Sequence, residues 1–93
     1  MAPYRFRVPS GIEILVRGLH PELKRKVRAG LDLVRTDPTA GKELRDELAG
    51  LRSLRVSRVR LIYRVGPGRV IDLIAIGPRR TIYEETLRRL RRE

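Results

Sequence analysis

The chain has 93 residues, of which 22 are lysine or arginine and 11 are acidic, so its formal net charge is +11 at pH 7. This length suits one small domain with one hydrophobic core, and residues 1–93 are expected to form a single domain. One phenylalanine, three tyrosines and no tryptophan leave no broad aromatic platform for stacking bases. With no cysteine and one histidine, the sequence offers no disulfide, thiol nucleophile or metal cluster, and we expect no metal or cofactor.

The N-terminal segment predicts a strand followed by a helix. Apolar residues alternate with arginines between Pro3 and Pro9, which is typical of a short amphipathic strand. Ser10, with Glu13 three residues later, has the form of a capping box. We therefore expect the first helix to start at Ser10, with its side chain as the cap.

Two further helical segments are predicted in the first half of the chain. Apolar residues recur every three or four positions between Pro21 and Asp37, which predicts a second helix and therefore a helical hairpin. His20 precedes this helix and is expected to cap it or to face solvent. A shorter helical piece is predicted over residues 42–49, with Gly50 as its stop.

From Leu51 onward the apolar period changes to two, which predicts a meander of strands. The segments are Leu54–Val56, Val59–Val65 and Val70–Ile76. Thr81 and Glu84 repeat the capping-box pattern, so a C-terminal helix is expected to follow. This order predicts an α+β domain in which an N-terminal strand and a helical hairpin accompany an antiparallel-rich sheet. We expect the helices to pack on one face of that sheet.

Arginines are concentrated on one face of the predicted meander. Strand parity places Arg60 and Arg64 on the same side. If Ser57 and Arg58 form a two-residue turn, Arg55 lies directly opposite Arg60. Like charges at such positions destabilise a sheet, whereas a phosphate site needs converging guanidinium groups. We interpret this face as an anion site, and the alternative is a solvated edge that carries basic residues against aggregation.

The excess of positive charge predicts a polyanionic partner such as nucleic acid, an acidic membrane surface or an acidic protein. No apolar run approaches the roughly 20 residues that a membrane span requires. The N-terminus also lacks the charged-then-apolar pattern of a signal peptide. We expect a cytoplasmic protein without a membrane partner.

The stretches "LAGLRSLRVSRVRLIYRV" and "VIDLIAIGPRRTIYEE" resemble the sequence patterns of the RelE/ParE superfamily, the toxins of type II toxin-antitoxin systems. The resemblance covers nearly the whole chain and implies a RelE-like fold. RelE-type members are ribosome-dependent mRNA endonucleases that act without a metal, by attack of a ribose 2′-oxygen on the adjacent phosphate. The resemblance also implies three partners: the ribosome, mRNA and a cognate antitoxin whose acidic or amphipathic segment forms a hetero-oligomer with the toxin.

The resemblance implies roles for individual residues. Arg60 corresponds to a phosphate clamp, and Arg55 would hold the phosphate from the neighbouring strand. Arg80 is expected to stabilise or protonate the leaving group, with Arg79 as its competitor. Tyr83 is expected to stack on a base or orient the 2′-hydroxyl, or else to pack against the sheet. Further candidates for RNA or phosphate binding are Ser53, Arg58 and Arg64.

Two positions depart from the endonuclease pattern. Ser53 stands where many members carry a second lysine, and Pro78 stands where others carry a histidine. Arginine is a poor proton acceptor because its pKa is above about 12, so the pattern supplies no evident general base. Two alternatives therefore stay open: a ParE-like inhibitor of DNA gyrase, and a catalytically weak basic member that acts by binding. Asp72 is expected to form a salt bridge with a neighbouring arginine.

Overall fold

The computed structural model describes residues 3–78 and 81–92. Its elements are β1 (Arg5–Arg7), α1 (Ser10–Arg17), α2 (Pro21–Thr36), β2 (Lys42–Glu43), β3 (Arg52–Val56), β4 (Val59–Gly66), β5 (Val70–Pro78) and α3 (Ile82–Arg92). Within these residues the strands form one sheet in the order β1-β5-β4-β3-β2. Only the β1–β5 pair in this sheet is parallel, so the predicted α+β class with an antiparallel-rich sheet is confirmed.

The sheet is apolar on both faces at its centre. On one face α1 and α2 cover a cluster that includes Val34, Leu61 and Ile71. On the other face Ile62 and Ala75 join a second cluster beneath α3. The expectation that all helices share one face was therefore wrong for α3, because the central strands β4 and β5 carry apolar residues on both parities.

Residues 42–49 do not form the predicted helix. Lys42 and Glu43 instead form β2, which pairs with Ser53 and Arg52 of β3, and a 3-10 turn follows at Asp46–Leu48. A helix of eight residues is marginal by itself, whereas the edge of β3 satisfies the backbone of β2 directly. The prediction was wrong because two leucines one turn apart also suit a short strand and turn that pack beneath α3.

The two helix starts of the hairpin are capped differently. The carbonyl of Pro9 accepts the N–H of Glu13 at 3.0 Å, so Pro9 is the cap residue of α1. The predicted capping box at Ser10 was wrong, since Ser10 is already the first helical residue and no side chain caps α1. The expectation for α2 is confirmed, because His20 Nδ1 accepts the N–H of Glu22 at 3.3 Å.

No helix among the described residues is long and apolar enough to cross a membrane.

Candidate functional site

The β3–β4 hairpin brings two arginines side by side. Ser57 and Arg58 form its turn, and Ser57 adopts a left-handed backbone with φ of 55°. Arg55 is therefore the direct cross-strand partner of Arg60, as the sequence predicted. The Arg55 side chain is exposed, and its Nε donates to the Ser57 carbonyl at 3.3 Å. Two residues of like charge thus occupy directly opposite positions near the hairpin turn.

Arg60 is the half-buried member of this pair. Its Nη1 donates to Ser53 Oγ at 3.4 Å, while its Nε is buried and has no hydrogen-bond partner among the described residues. A buried donor without a partner costs about 1–3 kcal/mol. No carboxylate of the described residues pairs with this guanidinium. Arg60 also lines the cleft described below, so a guanidinium charge that no described carboxylate matches borders an open space.

Ser53 connects Arg60 to a tyrosine of α3. Its Oγ lies 3.1 Å from the Tyr83 hydroxyl, and the Ser53 side chain is itself buried. The Tyr83 ring also packs against the second apolar cluster. The ring is fixed by packing and the hydroxyl is directed to Ser53, so the structure brings together Ser53, Arg60 and Tyr83.

Arg60 and Tyr83 line a cleft of about 330 Å³ between α3 and the β2 segment, and the buried Ser53 contacts both of them. Lys42 and Arg45 line the same cleft and were not among the predicted site residues. They were missed because the helix predicted for residues 42–49 gave them no fixed relation to the sheet. The glycines at both ends of that segment, Gly41 and Gly50, were the available signal, since they left it too short for a stable helix.

A buried tyrosine holds the β2 segment in place from the opposite face. The Tyr63 hydroxyl donates to the Pro38 carbonyl at 2.7 Å and accepts the N–H of Gly41 at 2.9 Å. Arg52 Nη1 donates to the Gly41 carbonyl at 2.7 Å. Burial raises the pKa of Tyr63, which keeps the hydroxyl protonated as a donor. A Cβ at Gly41 would lie 2.5 Å from the Tyr63 oxygen, so the close approach requires glycine.

On the sheet face that carries Arg60, the arginines farther from the hairpin turn are paired with an acid. Asp72 lies in register with Arg7 on β1 and with Arg64 on β4. It accepts two bonds from Arg7, at 2.7 and 3.1 Å, and lies 3.8 Å from Arg64. The Arg7 hydrogen bonds lower the pKa of Asp72, and the same contact raises the pKa of Arg7. The predicted salt bridge of Asp72 is confirmed, and Arg64 lies outside the cleft of Arg60.

The remaining predicted residues lie apart from the cleft or outside the described residues. Arg58 lies beside His20 and Lys26 in a separate cleft of about 150 Å³ at the hairpin end. Arg79 and Arg80 lie outside the described residues. No cluster of three potential metal ligands occurs in the part of the chain that the structure describes.

The fold, with its helical hairpin, meander and basic cleft beneath a C-terminal helix, is that of the RelE/ParE superfamily of toxins. Residues 12–83 match the family model described as "ParE toxin of type II toxin-antitoxin system, parDE". This match covers more than half of the chain, so the chain belongs to that family and is a toxin of a type II toxin-antitoxin system. No curated protein matches the chain.

Solved structures support the same fold. The toxin-antitoxin complex RelBE2 from Mycobacterium tuberculosis is 28% identical, with a TM-score of 0.71 over 83% of this chain and 99% of that one. A mutant of the E. coli toxin RelE in the free state is 20% identical, with a TM-score of 0.74 over 95% and 98%. The archaeal RelE-RelB complex from Pyrococcus horikoshii is 22% identical, with a TM-score of 0.68 over 85% and 97%.

Proposed function

We propose that this protein is an endoribonuclease that cuts mRNA on the ribosome and thereby inhibits translation and arrests growth. In this reaction a ribose 2′-oxygen attacks the adjacent phosphate, and the 5′-oxygen leaves. The site must therefore stabilise a phosphate that gains negative charge in the transition state. Metal ions are not required for this chemistry when cationic side chains and proton-transfer groups surround the phosphate.

The observation that carries this proposal is the state of Arg60. Its guanidinium is half-buried, its Nε has no partner among the described residues, and its charge is not matched by a carboxylate there. Arg60 also lines the cleft, where its guanidinium can donate to a phosphate oxygen, and such a contact strengthens as the oxygen gains charge. Arg60 is therefore proposed as the clamp on the scissile phosphate.

Neighbouring groups complete the proposed site. Arg55, opposite Arg60, adds positive charge at the open end of the hairpin. The Tyr83 hydroxyl is fixed by Ser53 and is proposed to orient the 2′-hydroxyl. Arg80, or Arg79 beside it, remains the proposed stabiliser of the leaving oxygen on the basis of the family pattern.

The proposed partners follow from the same charges and from the solved relatives. The RelBE2 and RelE-RelB structures are toxin-antitoxin complexes. With a net charge of +11, this chain is suited to an antitoxin segment that is acidic or amphipathic, in a hetero-oligomer that covers the basic cleft. Ribosome-bound mRNA is the proposed target in the cytoplasm, where the antitoxin would hold the toxin inactive.

A second function is supported by the family match itself. The matching family model is named for ParE, and a ParE-like toxin would bind DNA gyrase without hydrolysing a phosphodiester. That function makes no demand on the arrangement of Arg60, Ser53 and Tyr83. The endonuclease proposal, in contrast, depends on those three side chains.

Induction of the toxin in cells without antitoxin separates the two functions. Mapping of RNA ends and DNA breaks after induction should reveal cuts within translated messages and no gyrase-linked DNA breaks. The Arg60→Ala variant should leave the messages intact. Growth arrest with intact messages and gyrase-linked breaks would instead establish the second function, and cleavage of naked RNA without ribosomes would contradict ribosome dependence.

A further inference from the structure

The proposed reaction requires a group that accepts the proton of the 2′-hydroxyl. Guanidinium groups are donors only, which removes Arg45 and Arg60 from consideration. Hydroxyls are weak bases unless another group takes their proton, and Ser53 and Tyr83 are hydrogen-bonded to each other. A lysine amine is an effective acceptor in its neutral form. The cleft contains one lysine among its described lining residues, Lys42.

Strand register places Lys42 beside Ser53, on the edge strand that borders the cleft. It is the direct cross-strand partner of Ser53 in the antiparallel β2–β3 pair. Side chains at such positions share one face of the sheet, with Cβ atoms about 4.5–5.5 Å apart. Since Ser53 faces Arg60 and Tyr83, Lys42 projects on the same face, in agreement with its place in the lining of the cleft.

Lys42 is also not engaged in a competing contact. Among the described residues it makes no hydrogen bond or ion pair through its amine. The adjacent carboxylate, Glu43, lies in register with Arg52 and 3.7 Å from it. The other two lysines of the sequence, Lys24 and Lys26, belong to α2, which packs on the opposite face.

The side chain of Ser53 is small and buried, and its cross-strand neighbour Lys42 lines the cleft beside it. Ser53 keeps one hydrogen bond to Arg60 and one to Tyr83, so it links the phosphate clamp to the tyrosine. Lys42 borders the same cleft as Arg60 and Tyr83 from the neighbouring strand. Two adjacent strands therefore have different roles: Ser53 of β3 connects Arg60 to Tyr83, and Lys42 of β2 supplies an amine.

We propose that Lys42 is the general base of this toxin, an inference that rests on the proposed endonuclease function. The neutral amine of Lys42 takes the proton of the 2′-hydroxyl as the 2′-oxygen forms a bond to phosphorus. The bond from phosphorus to the 5′-oxygen breaks, and that oxygen takes a proton from water. The resulting hydroxide recovers a proton from the Lys42 ammonium, so the products are a 2′,3′-cyclic phosphate, a 5′-hydroxyl and the original amine.

The charged and titratable groups that line the cleft with Lys42 come from three elements. Arg45 and Asp46 follow β2, Arg60 belongs to β4, and Tyr83 belongs to α3. Only the neutral form of the Lys42 amine can accept a proton. The single-turnover rate of wild type should therefore rise with pH to a plateau, and removal of Lys42 should abolish this ascending limb.

The chain has no cysteine, so one introduced cysteine can be alkylated selectively. The Lys42→Cys variant should cut ribosome-bound message about 10²-fold or more slowly than wild type, the scale of general-base catalysis. Treatment with 2-bromoethylamine, followed by repurification, restores an amine at the position of the lysine nitrogen and should recover at least tenfold in rate. Treatment with iodoacetamide adds a neutral amide of similar length and should recover nothing.

Two further variants separate proton transfer from charge. Lys42→Arg keeps the cation without an acceptor, and it should remain as slow as Lys42→Cys while binding the programmed ribosome as wild type does. Lys24→Cys, treated with the same reagents, is the matched control on α2 and should keep wild-type rates throughout.

The outcomes distinguish the two levels of the proposal. If wild type cuts ribosome-bound message and Lys42→Arg cuts equally fast, or aminoethylation restores no activity to Lys42→Cys, the assignment of Lys42 is overturned and the endonuclease function stands. If wild type produces no cuts, the proposed function fails, and the role of Lys42 fails with it.

Discussion

Two arginines of β4, four residues apart and on one face by parity, have opposite surroundings. Arg64 lies in register with Asp72, which also accepts two bonds from Arg7. Arg60 lies in register with another arginine, Arg55, and keeps a buried Nε without a partner among the described residues. The first arginine belongs to an ion-paired row across three strands, and the second faces a cleft.

The difference shows that parity alone does not make an arginine part of an anion site. The residue in register on the next strand decides whether the guanidinium is already satisfied. Arg64 already has a carboxylate partner, although an exposed ion pair of this kind contributes only about 0–1 kcal/mol to stability. At Arg60, by contrast, an uncompensated charge is maintained against its cost, which suits a ligand that supplies the missing acceptor.

The largest effect is expected when Arg60 is given an acidic neighbour like that of Arg64. In Arg55→Glu the new carboxylate would lie directly opposite Arg60 and pair with it. We expect cleavage of ribosome-bound message to fall tenfold or more, because the phosphate must then compete with a carboxylate.

Arg55→Gln serves as the matched control for this change. It removes the same positive charge without adding an acceptor of negative charge, so cleavage should fall by only a few-fold. Single-turnover rates of the two purified variants provide the measurement. Equal losses would mean that only the charge of Arg55 matters and that pairing of Arg60 does not.

The next largest effect is expected at the buried anchor of the β2 segment. Tyr63→Phe removes the hydroxyl that bonds Pro38 and Gly41, and leaves a part-buried carbonyl and a buried N–H unpaired. Unfolding in urea should show a loss of about 1–3 kcal/mol. Cleavage should also fall by a few-fold, since β2 carries Lys42, whereas full activity would show that β2 does not depend on this anchor.

The smallest effect is expected in the row of Arg64. Because the pKa of Asp72 is lowered in the folded state, its ion pairs stabilise the protein above the unfolded pKa and are lost as pH falls through the folded pKa. Thermal unfolding should therefore show wild type losing its advantage over Asp72→Asn below about pH 4. Cleavage near neutral pH should change little. A constant difference across this pH range would contradict the ion-paired account.

Much of the fold was predictable because the period changes from helical to two at Leu51, and each strand of the meander carries its own apolar pattern. The pairing of Arg55 with Arg60 was predictable too, because Ser57 and Arg58 leave room for only a short turn. Recognition of the superfamily rested on the same stretch of sequence, where apolar residues and arginines alternate.

The side of the cleft formed by the β2 segment was not predictable in the same way. Lys42 and Arg45 reach the site only because β2 adds to the edge of β3, and that contact depends on the burial of Tyr63 beneath Gly41. Such a long-range contact leaves no periodic signal in eight residues. Likewise, the neutralisation of Arg64 depends on the register between β4 and β5, which contains an irregularity at Ile62/Tyr63.

Arg60, and not Arg64, is the arginine proposed to face the scissile phosphate. The most direct test is the single-turnover rate of message cleavage on programmed ribosomes for Arg60→Ala and Arg64→Ala, with both variants shown to unfold like wild type. We expect Arg60→Ala to lose about 10²-fold or more in rate, as for removal of a donor to a transition-state oxyanion, while Arg64→Ala stays within about threefold of wild type. Equal losses in the two variants, or full activity of Arg60→Ala, would contradict this expectation.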